Sequence, residues 1–273
     1  MTPIPPSKPA RRIVYPESDG KPIADNTVQY EWIVTIHGGL TGTFKDDPRV
    51  FVAADLLWYP VEGDNKTSAA PDAMVAIGRP KGDRGSYKQW EEGGIPPQVV
   101  FEILSPNNGS SEMMRKFLFY EKYGVEEYYI YDPDRIKLEG YLRQGAKLTD
   151  IPEMDGWQSP RLGIRFDMSG EVLKIYRPDG EPFLTYLELL ADRDANLVLA
   201  QKHEKRADEE AQRAEEERLA RLQAQQRGDR AQKVAEEEKK RAEEEKKRAD
   251  AAEAKAARLE EQLRRLGVAS PSE

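Results

Sequence analysis

Two acids and a lysine in the first half of the chain have the types and spacing for chemistry. Glu102 stands in the middle of the run Val99–Leu104, VVFEIL, which is bounded by prolines. A short apolar run of this kind reads as a strand buried on both faces of a sheet. A carboxylate in such a strand is costly unless it is paired, protonated or bound to a cation. Asp72 opens a second apolar run, Ala73–Ile77. On neighbouring strands the two carboxylates come within reach of one ion, and a hard oxygen set completed by a backbone oxygen and water suits Mg²⁺ or Mn²⁺. Such a metal lowers the pKa of a bound water and stabilises charge developing on a phosphate oxygen. A lysine nearby can stabilise the same charge. The residue types alone leave a second reading open, in which the acids belong to a structural ion pair.

The segment after the Glu102 strand supplies the lysine. Ser105-Pro106-Asn107-Asn108-Gly109 is a turn, Ser110 or Ser111 is placed to cap a helix over about 112–123, and Gly124 stops it. At about 100° per residue, Met113, Phe117 and Tyr120 form its buried stripe. Lys116 lies at the edge of that stripe and can lean toward the sheet, while Arg115 and Lys122 point roughly the other way. A surface pair of Lys116 with Glu112 is the alternative.

Before these elements, residues 24–45 read as a helix with caps at Asp25, Asn26 and Thr27, an apolar stripe at Val28, Trp32 and Ile36, and a stop at Gly38-Gly39. His37 beside the glycines reads as structural, and Glu31 as a solvent-facing residue. Residues 50–61 read as one strand with Asp55 inside, ended by Pro60. Residues 78–96 form a long loop whose Lys81, Arg84 and Lys88 are the main basic cluster near the acids. Residues 125–131, 136–143 and 172–177 read as further strands, with a polar excursion holding Trp157 and Gly163 before the last. Residues 183–191 read as a short closing helix.

From about Ala195 the composition changes. EEEKKRA at 236–242 is repeated unchanged at 243–249, with acid-first i,i+4 pairs. An alanine seam recurs at Ala207, Ala214, Ala235, Ala242, Ala249 and Ala256, ending in Leu263. The matching d positions are mostly charged or polar, and Gly228 interrupts the run. This excludes a strong leucine zipper and leaves a weak alanine-seamed coiled coil or a single charged helix. Leu259, Leu263 and Leu266 could help the last turns associate.

Composition narrows the class. The chain has no cysteine, which excludes thiol nucleophiles and thiolate metal sites and fits a cytoplasmic location. No apolar run approaches the length of a membrane span, and the proline-rich start lacks the apolar region of a signal peptide. Of the 42 basic and 50 acidic residues, positions 201–273 hold 19 of each, which leaves 23 basic against 31 acidic in the first 200. That balance counts against a broad nucleic-acid-binding surface. It is compatible with an acidic site that recruits a cation.

At the chemistry-bearing residues the sequence resembles the Uma-two family of restriction-endonuclease-like proteins, within the PD-(D/E)XK nuclease superfamily. The likeness lies in Pro71-Asp72, VVFEILSP at 99–106, Lys116, Tyr120 and GVEEYYIYDP at 124–133, and it covers roughly 24–190. It implies an α/β fold with a mixed central sheet flanked by helices, and metal-dependent hydrolysis of DNA. Asp72 and Glu102 would be the metal ligands and Lys116 the third catalytic residue. The superfamily's usual lysine, two residues after the acid, is absent because Leu104 stands there, and the following helix would supply it instead. Asp55 and Glu31 match no motif and are outer candidates. The expected organisation is an extended lead-in at 1–23, the nuclease-like domain at 24–194, a charged helical tail at 195–266 and a disordered end at 267–273. DNA is the expected substrate; a homo-oligomer is possible, and whether the tail would mediate it is left open. The competing expectation is a catalytically inactive nuclease fold kept for binding, with the tail as an oligomerisation arm.

Overall fold

The computed structural model describes residues 13–265. Most of the expected lead-in, the expected disordered end and Leu266 lie outside them. Helix α1 (Thr27–Thr43) is followed by β1 (Val50–Ala53), β2 (Trp58–Tyr59), β3 (Ala73–Ile77), β4 (Tyr87–Lys88) and β5 (Val99–Ile103). Helix α2 (Ser110–Tyr123) then leads to β6 (Glu127–Asp132), β7 (Lys137–Gln144), β8 (Lys147–Asp150), β9 (Arg165–Asp167), β10 (Lys174–Tyr176) and α3 (Tyr186–Arg265). Six strands form one mixed sheet in the order β1-β3-β5-β6-β7-β8. Within this sheet only β5 and β6 pair parallel, and α2 is the crossover between them; β2 and β4 form a separate parallel pair.

The sheet is covered on both faces, which explains the continuous apolar runs. Alternation along β5 sends Val99, Phe101 and Ile103 to one core with Ile33, Ile36 and Leu40 of α1. Val100 faces the other core, with Met74 of β3 and Tyr120 of α2. Glu102 has the same parity as Val100 and therefore faces α2.

Several local expectations are corrected. The buried residues of α1 include Gln29, Ile33, Ile36 and Leu40, so its stripe lies one residue beyond Val28 and Trp32; Val28 is exposed. Asn26 alone of the three caps holds the helix start, its side chain accepting from the Gln29 N–H at 2.8 Å. The helix does not stop at Gly38-Gly39. Gly39 is where the Phe183 ring packs, and a Cβ there would lie 2.2 Å from the ring. A tight packing contact, not a helix end, accounts for that glycine.

The expected strand over 50–61 is two strands, because Asp55 adopts φ +49° and turns the chain. Helix α2 starts after Gly109 without a side-chain cap from either serine, and ends as expected at Gly124, φ +98°. Of its stripe only Tyr120 is fully buried; Met113 and Phe117 are half-buried. Strand β8 was not anticipated. The polar excursion after it is tied down by Glu127, which is fully buried and accepts from the Tyr129 hydroxyl at 2.9 Å, the Arg161 N–H at 2.7 Å and the Ser159 hydroxyl.

The short closing helix is instead the start of α3, which continues unbroken for 80 residues and through Gly228. The chain divides into two compact units at Arg193/Asp194. In the second unit every described residue is exposed. Ion pairs within the helix include Glu217–Arg221 at 2.5 Å, Glu236–Lys240 at 3.6 Å and Glu261–Arg265 at 2.8 Å. At 1.5 Å per residue, α3 is roughly 120 Å long. Among the described residues no helix is long and apolar enough to cross a membrane.

Candidate active site

Strands β3 and β5 pair antiparallel, with Ala73 opposite Phe101. One step further along this register sets Asp72 opposite Glu102, on the face covered by α2. Both are buried, at 8 % and 2 % exposure. The main chain between them is part of the site. The Ile103 N–H donates to Asp72 Oδ2 at 2.6 Å, and the Ile103 carbonyl accepts from Gln29 Nε2 at 2.8 Å. Gln29 in turn accepts from the Asp25 N–H at 2.8 Å. Ile103, the residue after Glu102, is therefore held through both its N–H and its carbonyl, by the acid next to β3 and by an amide of α1.

Glu102 is held from above by α2. Lys116 Nζ donates to Glu102 Oε2 at 2.5 Å, and the Tyr120 hydroxyl donates to Oε1 at 2.5 Å. The i,i+4 spacing of Lys116 and Tyr120 puts both on the face of α2 that meets the sheet. The lysine thus takes the inward role foreseen for it, not the surface pair with Glu112. Glu112 instead lies 3.7 Å from Lys21.

The charges shape one another. Burial, then the Glu102 charge, raises the Asp72 pKa well above the ordinary carboxylate value, with Lys116 acting in the opposite direction. Burial opposes the charge on Lys116, but Glu102 and Asp72 outweigh it and raise its pKa above the usual lysine value. Burial, then Glu102, raises the Tyr120 pKa as well, so it stays a hydrogen-bond donor. The trio of two acids and one ammonium carries one negative charge in excess when all are ionised.

Asp72 and Lys116 line a cavity of about 720 Å³, while Glu102 lies one layer behind them. Asp55 is on the cavity wall. Its pKa is raised by burial first, then by Asp19, and the Glu102 charge adds to the rise. The left-handed backbone at Asp55 is what turns it to the rim. Glu31 is exposed on α1 and does not reach the cavity. His37 does not line it either.

The basic loop cluster is also displaced. Lys81 Nζ donates to the Phe44 and Lys45 carbonyls, at 2.6 and 2.7 Å, where α1 ends. Arg84 pairs with Glu92 at 2.6 Å, and Lys88 with Glu91 at 3.3 Å. Each is engaged by the loop's own acids or by helix-end carbonyls, so none is on the cavity wall. Among the described residues the bases that do line it are Lys21, Arg115 and Lys116. Arg115 was expected to point away. It reaches the cavity because the wall extends past the buried stripe of α2. Gln29 lies one residue after Val28, the start of the stripe that the sequence suggests; the spacing 29, 33, 36, 40 carries the signal.

The residues fit a hard divalent cation in chemistry and number. Two carboxylates that repel each other gain from a cation between them. Among the described residues no group of three or more acids or histidines could hold an ion. Water would complete the shell, as Mg²⁺ prefers.

The mixed sheet with its crossover helix, and the acids and lysine gathered where β3, β5 and α2 meet, define a restriction-endonuclease-like α/β protein. The chain belongs to the Uma2 family, described as "Putative restriction endonuclease", which matches residues 17–179. Among solved structures it is similar to a protein from Anabaena variabilis ATCC 29413 described as "a putative nuclease belonging to DUF820". The two are 19 % identical with a TM-score of 0.39, over 50 % of this chain and 75 % of that one. No curated protein matches the chain.

Proposed function

We propose that this site hydrolyses phosphodiester bonds in DNA with the help of Mg²⁺ or Mn²⁺. The observation that carries the reading is the Asp72–Ile103–Glu102–Lys116 constellation, of which Asp72 and Lys116 line a cavity. Asp72 and Glu102 are the residues that would hold the cation. When bound, it would supply a water of lowered pKa and a positive charge for the phosphate oxygens. Asp72 is anchored through one oxygen by the Ile103 N–H and presents its carboxylate to the cavity. Lys116 holds Glu102 in place through its 2.5 Å bond to Oε2, and from the cavity wall its ammonium would face a phosphate and stabilise charge developing there. Tyr120 fixes the remaining Glu102 oxygen throughout.

The test is cleavage of plasmid and oligonucleotide DNA by the full chain with Mg²⁺ or Mn²⁺. Asp72→Asn, Glu102→Gln and Lys116→Met should each abolish it. Cleavage that survives the acid substitutions would refute the reading. A second reading, a nuclease fold retained for binding, is favoured by the acidic balance of the first 200 residues and by a Glu102 whose two oxygens are both engaged. It requires that calorimetry show no Mg²⁺ or Mn²⁺ binding that depends on Asp72.

A further inference from the structure

Residues 13–25 form no helix or strand, yet they are fastened along their length. The Val14 carbonyl accepts from Asn65 Nδ2 at 2.8 Å, the Tyr15 hydroxyl accepts from the Gly63 N–H at 2.7 Å, and the Pro16 carbonyl accepts from the Tyr59 hydroxyl at 2.9 Å. The Tyr15 ring packs against Tyr59 and Trp90, with centroids 5.2 and 5.0 Å apart. Further on, the Glu17 carboxylate lies against Gly85, where a Cβ would come within 2.2 Å of it. At the far end, Asp25 Oδ2 accepts from the Ser105 hydroxyl at 2.6 Å. Between these anchors the strap runs along the cavity. Asp19, Lys21, Pro22 and Ile23 are part of its wall, and Lys21 approaches Glu112 on α2.

The strap changes what can enter. At about 720 Å³ the cavity is the size of a small-molecule pocket. A duplex groove presents two strands and a charge about every 1.7 Å, and is held by rows of basic side chains. Among the described residues five acids and three bases line the wall. The wall's apolar surface comes from Pro22 and Ile23 and from one aromatic ring, Phe119, with the amides of Asn107 and Asn108 beside it. Aromatic and apolar faces beside hydrogen-bonding groups suit exposed bases.

We propose that the site takes a short unpaired stretch of nucleic acid, and that the strap over residues 13–25 is what excludes a duplex. The proposal rests on the nuclease reading for its chemistry, but the strap's effect on binding can be measured apart from cleavage. The experiment uses the full chain and one fluorescent oligonucleotide, offered alone or annealed to its complement. Anisotropy with Ca²⁺ reads binding, and gels with Mg²⁺ or Mn²⁺ read cleavage. The single strand should bind at least about tenfold more tightly than the duplex. A Tyr15→Ala/Asn65→Ala variant, which loosens the strap, should lose that preference by gaining duplex affinity. Lys21→Ala alters an exposed residue and so threatens the fold least; it should shift the ratio the same way by a smaller amount, and it decides the matter if the double variant does not fold. Equal affinity of the wild type for both forms, or a ratio unchanged in the variants, overturns the proposal. Preferential single-strand binding without cleavage leaves the strap's role standing and removes the nuclease reading instead.

Discussion

Replacing Asp72 by asparagine should stabilise the protein at neutral pH while removing the site's affinity for a divalent cation. Asp72 is buried beside Glu102, and both burial and that neighbour disfavour its charge. Its folded-state pKa is therefore higher than in the unfolded chain. The stability contributed by such a group is fully present below the ordinary carboxylate pKa and is lost as pH rises through the raised folded value. Asparagine is nearly the same shape, and its side-chain oxygen can keep the 2.6 Å bond from the Ile103 N–H. It removes the like-charge repulsion and most of the desolvation cost, and its amide faces the cavity, where water can accept from it. Lys116 gives back part of the gain, since it loses one of the two acids it serves. Relief of a functionally strained group typically returns about 0.5–2 kcal/mol, which for a unit of this size is roughly 1–8 °C in Tm. The assay is thermal unfolding followed by circular dichroism, for both proteins across pH 4–8 with a chelator and then with Mg²⁺. The variant should melt higher at pH 8, and the gap should close toward pH 4. Mg²⁺ should raise the Tm of the wild type and leave the variant unchanged. A variant less stable at pH 8, or a gap that ignores pH, would refute the electrostatic account. Equal stabilisation of both proteins by Mg²⁺ would remove the cation from Asp72.

Two further outcomes follow from the same geometry and from the tail. Lys116→Met leaves the buried Glu102 charge with only Tyr120, and should destabilise the protein by about 3 kcal/mol; adding Glu102→Gln should recover most of the loss in urea unfolding, and a double variant no better than the single one would show that the two residues are not coupled. The full chain should sediment as a monomer at low salt. In the heptad frame of Ala235, Ala242 and Ala249, the flanking positions are Lys239, Lys246, Arg241 and Arg248, which repel in a pair of identical helices, while Glu238 and Glu245 occupy the seam; a concentration-dependent dimer lost on truncating α3 would refute this.

The sheet was legible in the sequence because its central strands are buried on both faces. Val99–Ile103 and Ala73–Ile77 read as strands from apolar runs alone, and the charged intruder Glu102 marked the site. Strand β6 and the stop at Gly124 were legible for similar local reasons. What failed depended on contacts between distant residues. Gly39 reads as a helix stop until the Phe183 ring, far along the chain, is placed against it. Asp55 reads as part of a strand until its backbone turns to join the cavity wall. Lys81, Arg84 and Lys88 read as a basic patch because a sequence does not show that Glu91, Glu92 and the end of α1 already engage them. The strap over the cavity was invisible for the same reason. Its residues form no periodic element, and contacts with residues far along the chain, among them hydrogen bonds from Tyr59, Gly63, Asn65 and Ser105, hold it there.

The displaced lysine has a geometric explanation. A residue two positions after Glu102 shares its face of β5, since side chains alternate along a strand. A lysine at 104 would therefore rise on the α2 side, beside the acid. The Leu104 N–H bonds to the Tyr131 carbonyl at 2.7 Å, so the chain is still extended and paired there. Helix α2 lies over that same face, and Lys116 descends from it onto Glu102 Oε2. Either origin delivers an ammonium to the same side of the sheet. The helix origin adds a constraint that the strand origin lacks. Tyr120, one turn further along α2, grips the other oxygen of the same carboxylate. Acid and lysine are thereby locked to one rigid helix, so any rotation of α2 moves both partners of Glu102 together. A substitution that shifts α2, even one remote from the cavity, should therefore disturb the acid and the lysine as a unit.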